Sequence, residues 1–266
     1  MKIQHNGQQI CLGTGSGSLQ GDGQAITFIH GAGFDHSVWV MPARYFARHG
    51  FRVLAPDLPA HGASDGPALS TIEQMADWLA ELLAAQAIEH SILVGHSMGS
   101  LIALACATRH PQLVDKLILL GTSAPMPVGS VLLDAAADDS PAAFAMANTW
   151  SHVHPGGLGA SRTPGVSNFV SGARWLQRMQ PGVYHADLAA CHLYEPELPA
   201  SPPPTCVING AMDKMTPVKS GMSLARRLGE HQDVQTHTIP GCGHAMLSER
   251  PNEVLDVMSG FILNDA

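Results

Sequence analysis

Short apolar runs alternate with longer amphipathic stretches along most of this chain. Runs rich in Ile, Leu and Val, each followed by Gly, Pro or Asp, are typical of buried parallel strands. They occupy 25–30, 53–55, 91–95, 116–120 and 205–209, and 234–239 is the last predicted strand. Helices are predicted at 38–49, 71–87 with Ser70 as N-cap, 98–109 and 218–228. The alternation predicts βαβ units, and therefore an α/β fold with a parallel sheet flanked by helices.

The N-terminal stretch 3–24 is polar and glycine-rich, with short β-like pieces at 2–4 and 9–12. We predict an antiparallel hairpin at the edge of the sheet. A nucleotide loop formed by the series Gly13, Gly15 and Gly17 is the alternative. Turn-forming residues follow this series where a dinucleotide-binding loop would open a helix, so the hairpin is favoured.

The alternation of predicted strands and helices stops between residues 124 and 204. This segment mixes helical patches at 141–149 and 168–179 with turn clusters, and three consecutive prolines at 202–204 form a stiff connector. We therefore predict a mainly helical cap at 125–204, inserted into a core formed by 1–124 and 205–266.

Composition and charge narrow the class of partner. The net charge is −8 with only 14 Lys and Arg, which argues against nucleic acid because that affinity comes from clustered cations. No segment reaches the roughly 20 apolar residues of a membrane span, and no secretory signal is recognisable. Five scattered cysteines without CxxC spacing predict free thiols, no metal site and a cytoplasmic location.

One segment joins a predicted strand to a predicted helix through a serine. Residues 91–99 read SILVGHSMG, so a G-x-S-x-G motif follows an apolar strand and precedes a helix. In a nucleophile elbow the serine occupies a strained turn, and small residues, here Gly95 and Gly99, let the helix and the neighbouring strand approach. We predict Ser97 as the nucleophile; a tight turn with an inert serine is the alternative.

Two polar residues further along the chain are candidates to activate this serine. A serine hydroxyl is nearly un-ionised at neutral pH, so it needs a base and a carboxylate that orients the base. Asp213 follows the strand at 205–209, and His244 lies in a glycine-rich turn after the last strand. The order Ser97, Asp213, His244 is the chain order of the fold that carries this elbow. We predict His244 as the base and Asp213 as its orienting acid; capping of the following helix is the alternative role of Asp213.

The loop after the first long strand carries few side chains. Acyl transfer builds negative charge on a carbonyl oxygen, and preorganised backbone N–H groups stabilise that charge. We predict that Ala32 and Met98 donate these N–H groups in an oxyanion hole. The loop is supported by Gly31 and Gly33, which keep side chains away, and by His30, which anchors it through hydrogen bonds. A phosphate loop is the disfavoured alternative, because no Lys-Ser/Thr pair follows.

Together these motifs resemble the alpha/beta-hydrolase superfamily over nearly the whole chain, and the member they resemble is a serine hydrolase with a helical cap. The matching pieces are His30-Gly31, DLPAHGAS at 57–64, the elbow at 95–99, Asp213 with Thr216-Pro217, and Gly243-His244 with Glu249 and Pro251. The resemblance implies an eight-stranded, mostly parallel sheet flanked by helices, a cap after the sixth strand and no cofactor. It also implies that the three triad residues meet.

Departures from particular subfamilies narrow the reaction. Ser97 stands where dehalogenases and epoxide hydrolases of this fold carry aspartate, and Gly33 where perhydrolase-type members carry proline. Ala245 follows His244, where hydroxynitrile lyases have lysine and C–C bond hydrolases tryptophan. We predict a carboxylesterase-like hydrolase that acts on a small to medium ester through an acyl-enzyme on Ser97. A lactonase, a thioesterase, a cofactor-free lyase and a non-catalytic ligand-binding member are the alternatives, and the sequence makes no prediction of oligomeric state.

Overall fold

A computed structural model describes residues 1–15, 19, 22–153, 167–229 and 234–263 of the chain. Gly17 of the N-terminal glycine series and residues 154–166 of the predicted cap lie outside the described residues.

Eight strands of the described chain form a single sheet. They are β1 (Lys2–His5), β2 (Gln8–Gly13), β3 (Ala25–Ile29), β4 (Arg52–Pro56), β5 (Ser91–His96), β6 (Val114–Leu120), β7 (Thr205–Gly210) and β8 (Val234–Ile239). Their order is β1-β2-β4-β3-β5-β6-β7-β8. β1 and β2 join the sheet through antiparallel pairs, and all later neighbours are parallel. The predicted eight-stranded, mostly parallel sheet and its N-terminal edge hairpin are confirmed.

The helices follow the predicted alternation with strands. They are α1 (Val40–Arg48), α2 (Ile72–Ala85), α3 (Met98–Arg109), α4 (Ser130–Ala137), α5 (Pro141–Ser151), α6 (Asn168–Leu176), α7 (Val183–Leu193), α8 (Val218–Leu228), α9 (Met246–Glu249) and α10 (Pro251–Leu263). Two short 3-10 turns, His36–Trp39 and Pro111–Leu113, accompany them. The helix predicted at 38–49 therefore begins as a 3-10 turn, and α4, α7, α9 and α10 were not predicted.

The N-cap predicted for α2 is wrong. Thr71, with an extended backbone, accepts a hydrogen bond from the backbone N–H of Gln74 at 3.2 Å. Ser70 lies one residue too early for this bond, and its hydroxyl donates to the Gln74 side chain at 3.0 Å. The cap is set by which oxygen can reach the third N–H of the helix, and both residue types satisfy the sequence pattern equally well.

Both faces of the central strands are buried, because successive side chains of a strand point to opposite sides. On β5, Leu93 packs with α2 and α3 on one face, whereas Ile92 and Val94 pack with α1 and α10 on the other. β3 and β6 alternate in the same way. The continuous apolar runs of the sequence thus correspond to strands covered by helices on two sides.

The segment between β6 and β7 forms four described helices, α4 to α7. Their apolar side chains, including Leu132, Leu176 and Leu188, form a separate cluster. Ala32 and Phe34 of the loop after β3 pack against this cluster. The insertion therefore contacts the loop that the sequence assigns to the oxyanion hole. Its assignment as a distinct cap with limits 125 and 204 stays a prediction.

The composition predicted free cysteines and no membrane span. All five cysteines are unpaired and buried. Among the described residues, no helix combines the length and the apolar character that a membrane span requires.

Candidate active site

Ser97 lies at the turn between β5 and α3. Its backbone has φ 54° and ψ −121°, a region in which a non-glycine residue is strained. A Cβ on Gly95 would collide with the backbone of Gly99, and a Cβ on Gly99 would collide with the carbonyl of Ile29 in β3. Only glycine at these two positions lets the turn close, as the elbow motif predicts.

Asp213 lies on the loop after β7, three residues beyond the strand, and it is buried. Its Oδ1 accepts hydrogen bonds from the backbone N–H groups of Met215 and Thr216, both at 2.8 Å. Its Oδ2 accepts from the Thr216 hydroxyl and from His244 Nδ1, each at 2.8 Å. Burial opposes the ionised form, but His244 and these hydrogen bonds hold the pKa of Asp213 below its usual value. The carboxylate therefore orders its own loop and also binds the imidazole.

His244 lies on the loop after β8, and only 4% of its surface is exposed. The bond from Nδ1–H to Asp213 places Nε2 at the opposite side of the ring and leaves it unprotonated in the neutral form. Glu249 holds the turn before it by accepting from the N–H of Gly243 at 2.7 Å. The imidazole is thus fixed in orientation and tautomer.

His96 packs beneath this imidazole. Its ring centroid lies 4.8 Å from that of His244, and its Nε2–H donates to the His244 carbonyl at 2.9 Å. Burial, together with the neighbouring His244, lowers the pKa of His96 to about 3. His96 is therefore a neutral support of the His244 backbone, as expected for a residue packed under the elbow.

Two cavities meet at His244. The first, of about 210 Å³, is lined by Ser97, His244 and Ala32 together with side chains of the insertion. The second, of about 200 Å³, is mainly apolar and is lined by His244, Ala245 and Trp175. Among the described residues, no hydrogen bond joins the Ser97 hydroxyl directly to His244. Catalytic hydrogen bonds are often long before substrate binds, and both groups face the same cavity.

The two predicted oxyanion donors flank Ser97. Met98 begins α3, so its N–H belongs to the first turn of a helix, where backbone donors have no partner within the helix. Ala32 lines the same cavity as Ser97. A Cβ on Gly31 would lie 3.2 Å from the Ser97 Cβ, and Gly33 has φ +71° with its hydrogens against the Met179 side chain.

His30 is hydrogen-bonded through both ring nitrogens beside this loop. Its Nδ1–H donates to the carbonyl of Gly31 at 2.9 Å, and its Nε2 accepts from the N–H of Leu58 at 3.1 Å. Burial lowers the pKa of His30 to about 4, so the ring is neutral at physiological pH.

Two residues at the same loop were not singled out in the sequence. Asp187 of α7 accepts hydrogen bonds from the N–H of Gly33 and from His61 Nε2, both at 2.8 Å. His61 lies in the DLPAHGAS segment, whose match to the superfamily was the only signal for it. Asp187 carries no recognisable motif, since it is one acidic residue in a helix that was not predicted.

A group of possible metal ligands lies away from this site. Cys11, His36 and Asp57 bring their ligand atoms within 4.8 Å of one another. The Asp57 oxygens already accept hydrogen bonds from the N–H and Nδ1 of His36, both at 2.7 Å, and from the N–H of Ala63 at 3.0 Å. These donors occupy the carboxylate that a metal would need, so the group is better described as a hydrogen-bonded connection between loops.

The chain is similar to known proteins in both sequence and structure. It is 40% identical over 103 residues to an uncharacterised Mycobacterium tuberculosis protein, and this match spans 38% of the chain but only 30% of that relative. It is 30% identical over 261 residues to the pimeloyl-[acyl-carrier protein] methyl ester esterase of Aromatoleum aromaticum, covering 88% of this chain and 98% of the esterase.

The fold comparison agrees with the sequence comparison. The enol-lactonase of Burkholderia xenovorans superposes with a TM-score of 0.84 at 22% identity, covering 99% of this chain and 100% of that one. The model of the alpha/beta hydrolase family matches residues 28–257, a span that contains the elbow, the oxyanion loop, Asp213 and His244. This chain therefore belongs to the alpha/beta hydrolase family.

Proposed function

We propose that the protein is a serine hydrolase that cleaves a small to medium carboxylic ester through an acyl-enzyme on Ser97. One observation carries the proposal: His244, bound through Nδ1 to Asp213 at 2.8 Å, lines the same cavity as Ser97. A buried carboxylate that orients an imidazole, next to a serine hydroxyl that faces the same cavity, is the arrangement that activates a serine.

The first half-reaction acylates the serine. His244 Nε2 takes the hydroxyl proton as Ser97 Oγ bonds to the substrate carbonyl carbon, and the carbonyl electrons move onto oxygen. The N–H groups of Ala32 and Met98 stabilise this oxyanion. The intermediate then expels the alcohol, which receives the proton from His244. Asp213, whose pKa is depressed in this environment, stays ionised and stabilises the imidazolium.

The second half-reaction releases the acid. A water molecule loses its proton to His244 and attacks the acyl carbon, and the new oxyanion occupies the same two N–H groups. Collapse breaks the bond to Ser97 Oγ, which regains its proton from His244. The chemistry needs no cofactor, and the predicted lack of one follows from this mechanism.

The cavities support a substrate of limited size. Each has about 200 Å³, somewhat below the roughly 300–1,000 Å³ usual for pockets that hold drug-sized ligands. His244 touches both, so an ester carbon beside Ser97 can place its acyl part in the cavity with Ser97 and its alcohol part in the other. The mainly apolar lining of the second cavity favours an uncharged group there.

A lactonase is the second candidate. The enol-lactonase that superposes on nearly the whole chain shows that the fold accommodates such an activity. A lactone follows the same two half-reactions, with the alcohol still tethered to the acyl group.

The cytoplasmic location and the lack of a nucleic-acid partner stay predictions of the sequence.

The decisive test is pre-steady-state hydrolysis of p-nitrophenyl acetate. We expect the wild type to release a burst of p-nitrophenol equal to the enzyme concentration if deacylation is the slower step, and Ser97→Ala to abolish it. Removal of a triad serine costs on the order of 10⁶-fold in rate. Ser259→Ala is the matched control, because Ser259 lies on α10 and its hydroxyl donates to the Asp256 carbonyl of the same helix.

The result separates the proposed function from its rivals. If folded Ser97→Ala retains the turnover of the wild type, Ser97 is not the nucleophile. If the wild type is not acylated by p-nitrophenyl esters of any chain length or by lactones, the non-catalytic binding alternative is favoured instead.

A further inference from the structure

A single buried carboxylate connects the insertion to the oxyanion loop. Asp187 of α7 has no exposed surface. One of its oxygens, Oδ2, accepts both the N–H of Gly33 and His61 Nε2, each at 2.8 Å. The other oxygen, Oδ1, is buried and has no hydrogen-bond partner among the described residues. The carboxylate thus directs its hydrogen bonding to the core, and not to its own helix.

The partners of His61 determine its charge. Its Nδ1 faces the carbonyl of Pro59 at 3.0 Å, and its Nε2 faces Asp187. A carbonyl and an ionised carboxylate only accept hydrogen bonds, so both ring nitrogens must carry hydrogen. His61 is then an imidazolium paired with Asp187. Burial opposes this charge, but the carboxylate of Asp187 outweighs burial and raises the pKa of His61.

The neighbouring histidine is neutral. The rings of His30 and His61 lie 4.9 Å apart. His30 donates from Nδ1 to the carbonyl of Gly31 and accepts at Nε2 from the N–H of Leu58, which matches a single ring proton. Below the loop there is therefore one neutral imidazole and one imidazolium, each held by its hydrogen bonds.

These contacts hold two successive peptide planes. The carbonyl of Gly31 and the N–H of Ala32 belong to one planar trans peptide and point in opposite directions. His30 Nδ1–H and, at 3.2 Å, the N–H of Phe34 hold that carbonyl, and together they set the direction of the Ala32 N–H. The N–H of Gly33 belongs to the next plane, and Asp187 holds it. Gly33, with φ +71°, is a residue type that otherwise rotates freely.

We propose that Asp187, paired with His61, is a positioning residue of the oxyanion hole: by holding the Ala32–Gly33 peptide plane, the insertion restrains Ala32 from the side opposite to the Gly31–Ala32 plane that His30 holds. Asp187 does not touch the substrate; it acts through Gly33. The inference rests on the proposed function, because it assigns Ala32 as an oxyanion donor. It makes the insertion a part of the catalytic apparatus as well as a wall of the pocket.

The test compares Asp187→Asn, Asp187→Ala and the wild type. With p-nitrophenyl acetate, we expect the acylation rate to fall about 10-fold in Asp187→Asn and about 100-fold in Asp187→Ala, since an oxyanion donor is worth 10²–10³-fold. KM should change little, because the donor acts mainly on the transition state. Asp139→Asn is the matched control: Asp139 also accepts a glycine N–H, that of Gly182 before α7, at 2.8 Å, but lies on the surface.

A boronic acid inhibitor provides a readout that a structural defect alone would not move. Its tetrahedral adduct with Ser97 places an oxygen in the oxyanion hole, so its Ki should rise in proportion to the loss of kcat/KM across the variants. Variants that fold but keep kcat and the boronate Ki within about threefold of the wild type overturn the proposal. So does a loss of rate with an unchanged Ki.

If neither Asp187 variant folds, ¹⁵N NMR of the His61 ring in the wild type at neutral pH tests the ion pair between His61 and Asp187. Two protonated ring nitrogens support the proposal, and a neutral tautomer overturns it. The Ser97→Ala experiment separates the two proposals. If Ser97→Ala loses the burst while the Asp187 variants react like the wild type, only the role of Asp187 is wrong. If Ser97→Ala keeps the burst, the proposed function itself is wrong.

Discussion

Glycine at positions 95 and 99 is a steric requirement of the turn that carries Ser97. A side chain at Gly95 would meet the first turn of α3, and one at Gly99 would meet the carbonyl of Ile29 in β3 and that of His30 directly after the strand. The same contacts press α3 against the sheet and set the position of the Met98 N–H. Close packing at this point thus links the stability of the turn to the position of the N–H that we propose as an oxyanion donor.

Substitution Gly99→Ala tests this link. We expect the free energy of unfolding to fall by about 1–3 kcal/mol, because the added methyl group must push α3 away from β3. We also expect a lower kcat, since the Met98 N–H moves with the helix. Gly129→Ala is the control for stability, because its Cβ would have no neighbour within 4 Å. Equal urea midpoints for both variants would contradict the steric argument.

At the scale of elements, α7 combines two roles on different faces. Asp187 points to the oxyanion loop, and the adjacent Leu188 is buried in the apolar cluster of the insertion and lines the cavity with Ser97. Neighbouring positions of a helix lie about 100° apart, which allows one element to bind the core loop and to bound the pocket. The insertion is therefore joined to the site by polar and apolar contacts at once.

Substitution Leu188→Ala tests the role of α7 as a wall of the pocket separately from its hydrogen bond to the loop after β3. We expect a loss of about 2–5 kcal/mol in the free energy of unfolding, as for other buried leucines. The enlarged cavity should move the optimum of kcat/KM toward longer acyl chains, measured with p-nitrophenyl acetate, butyrate and octanoate. Leu193→Ala is the control from the same helix, because Leu193 is 74% exposed. An unchanged chain-length optimum would show that Leu188 does not bound the acyl pocket.

At the scale of the whole molecule, buried histidines link stability to pH in opposite directions. His30 and His96 have folded pKa values of about 4 and about 3, against 6.5 for the free group. As the pH falls, these two histidines are therefore protonated in the unfolded chain before they are protonated in the folded protein. Their contribution to the free energy of unfolding is lost as pH falls below 6.5. His61 has a raised pKa, so its contribution is present below 6.5 and lost as pH rises through the folded value.

The acid side of this dependence can be measured by urea unfolding between about pH 6 and 4.5. Each neutral buried histidine adds a slope of about 1.4 kcal/mol per pH unit. We expect His96→Gln to reduce the slope of the wild type by that amount, since glutamine can still donate to the His244 carbonyl but does not titrate. The same slope in both proteins would show that His96 is protonated in the folded state.

The sequence by itself determined the elements that depend on local pattern. Apolar runs, helical stretches and the G-x-S-x-G motif lie within short windows, so the buried parallel strands and the strand-turn-helix around Ser97 were predictable from them. The eight-stranded sheet was implied by the resemblance to the superfamily. The order of Ser97, Asp213 and His244 indicated the family, which is confirmed, while the catalytic roles of these residues stay predictions. Local pattern could not choose Thr71 over Ser70 as a cap, because both residues offer a hydroxyl at nearly the same place.

Only the tertiary structure decided which distant groups meet. Asp187 and Gly33 are 154 positions apart, and no periodicity in the chain relates a carboxylate in an inserted helix to one backbone N–H of a core loop. The charge of His61 and the neutrality of His30 follow from the acceptors and donors around each ring. The two cavities at His244 likewise depend on how the insertion packs over the loops. Such features arise from packing and burial in three dimensions, because the free energy of a buried polar group is set by its spatial neighbours.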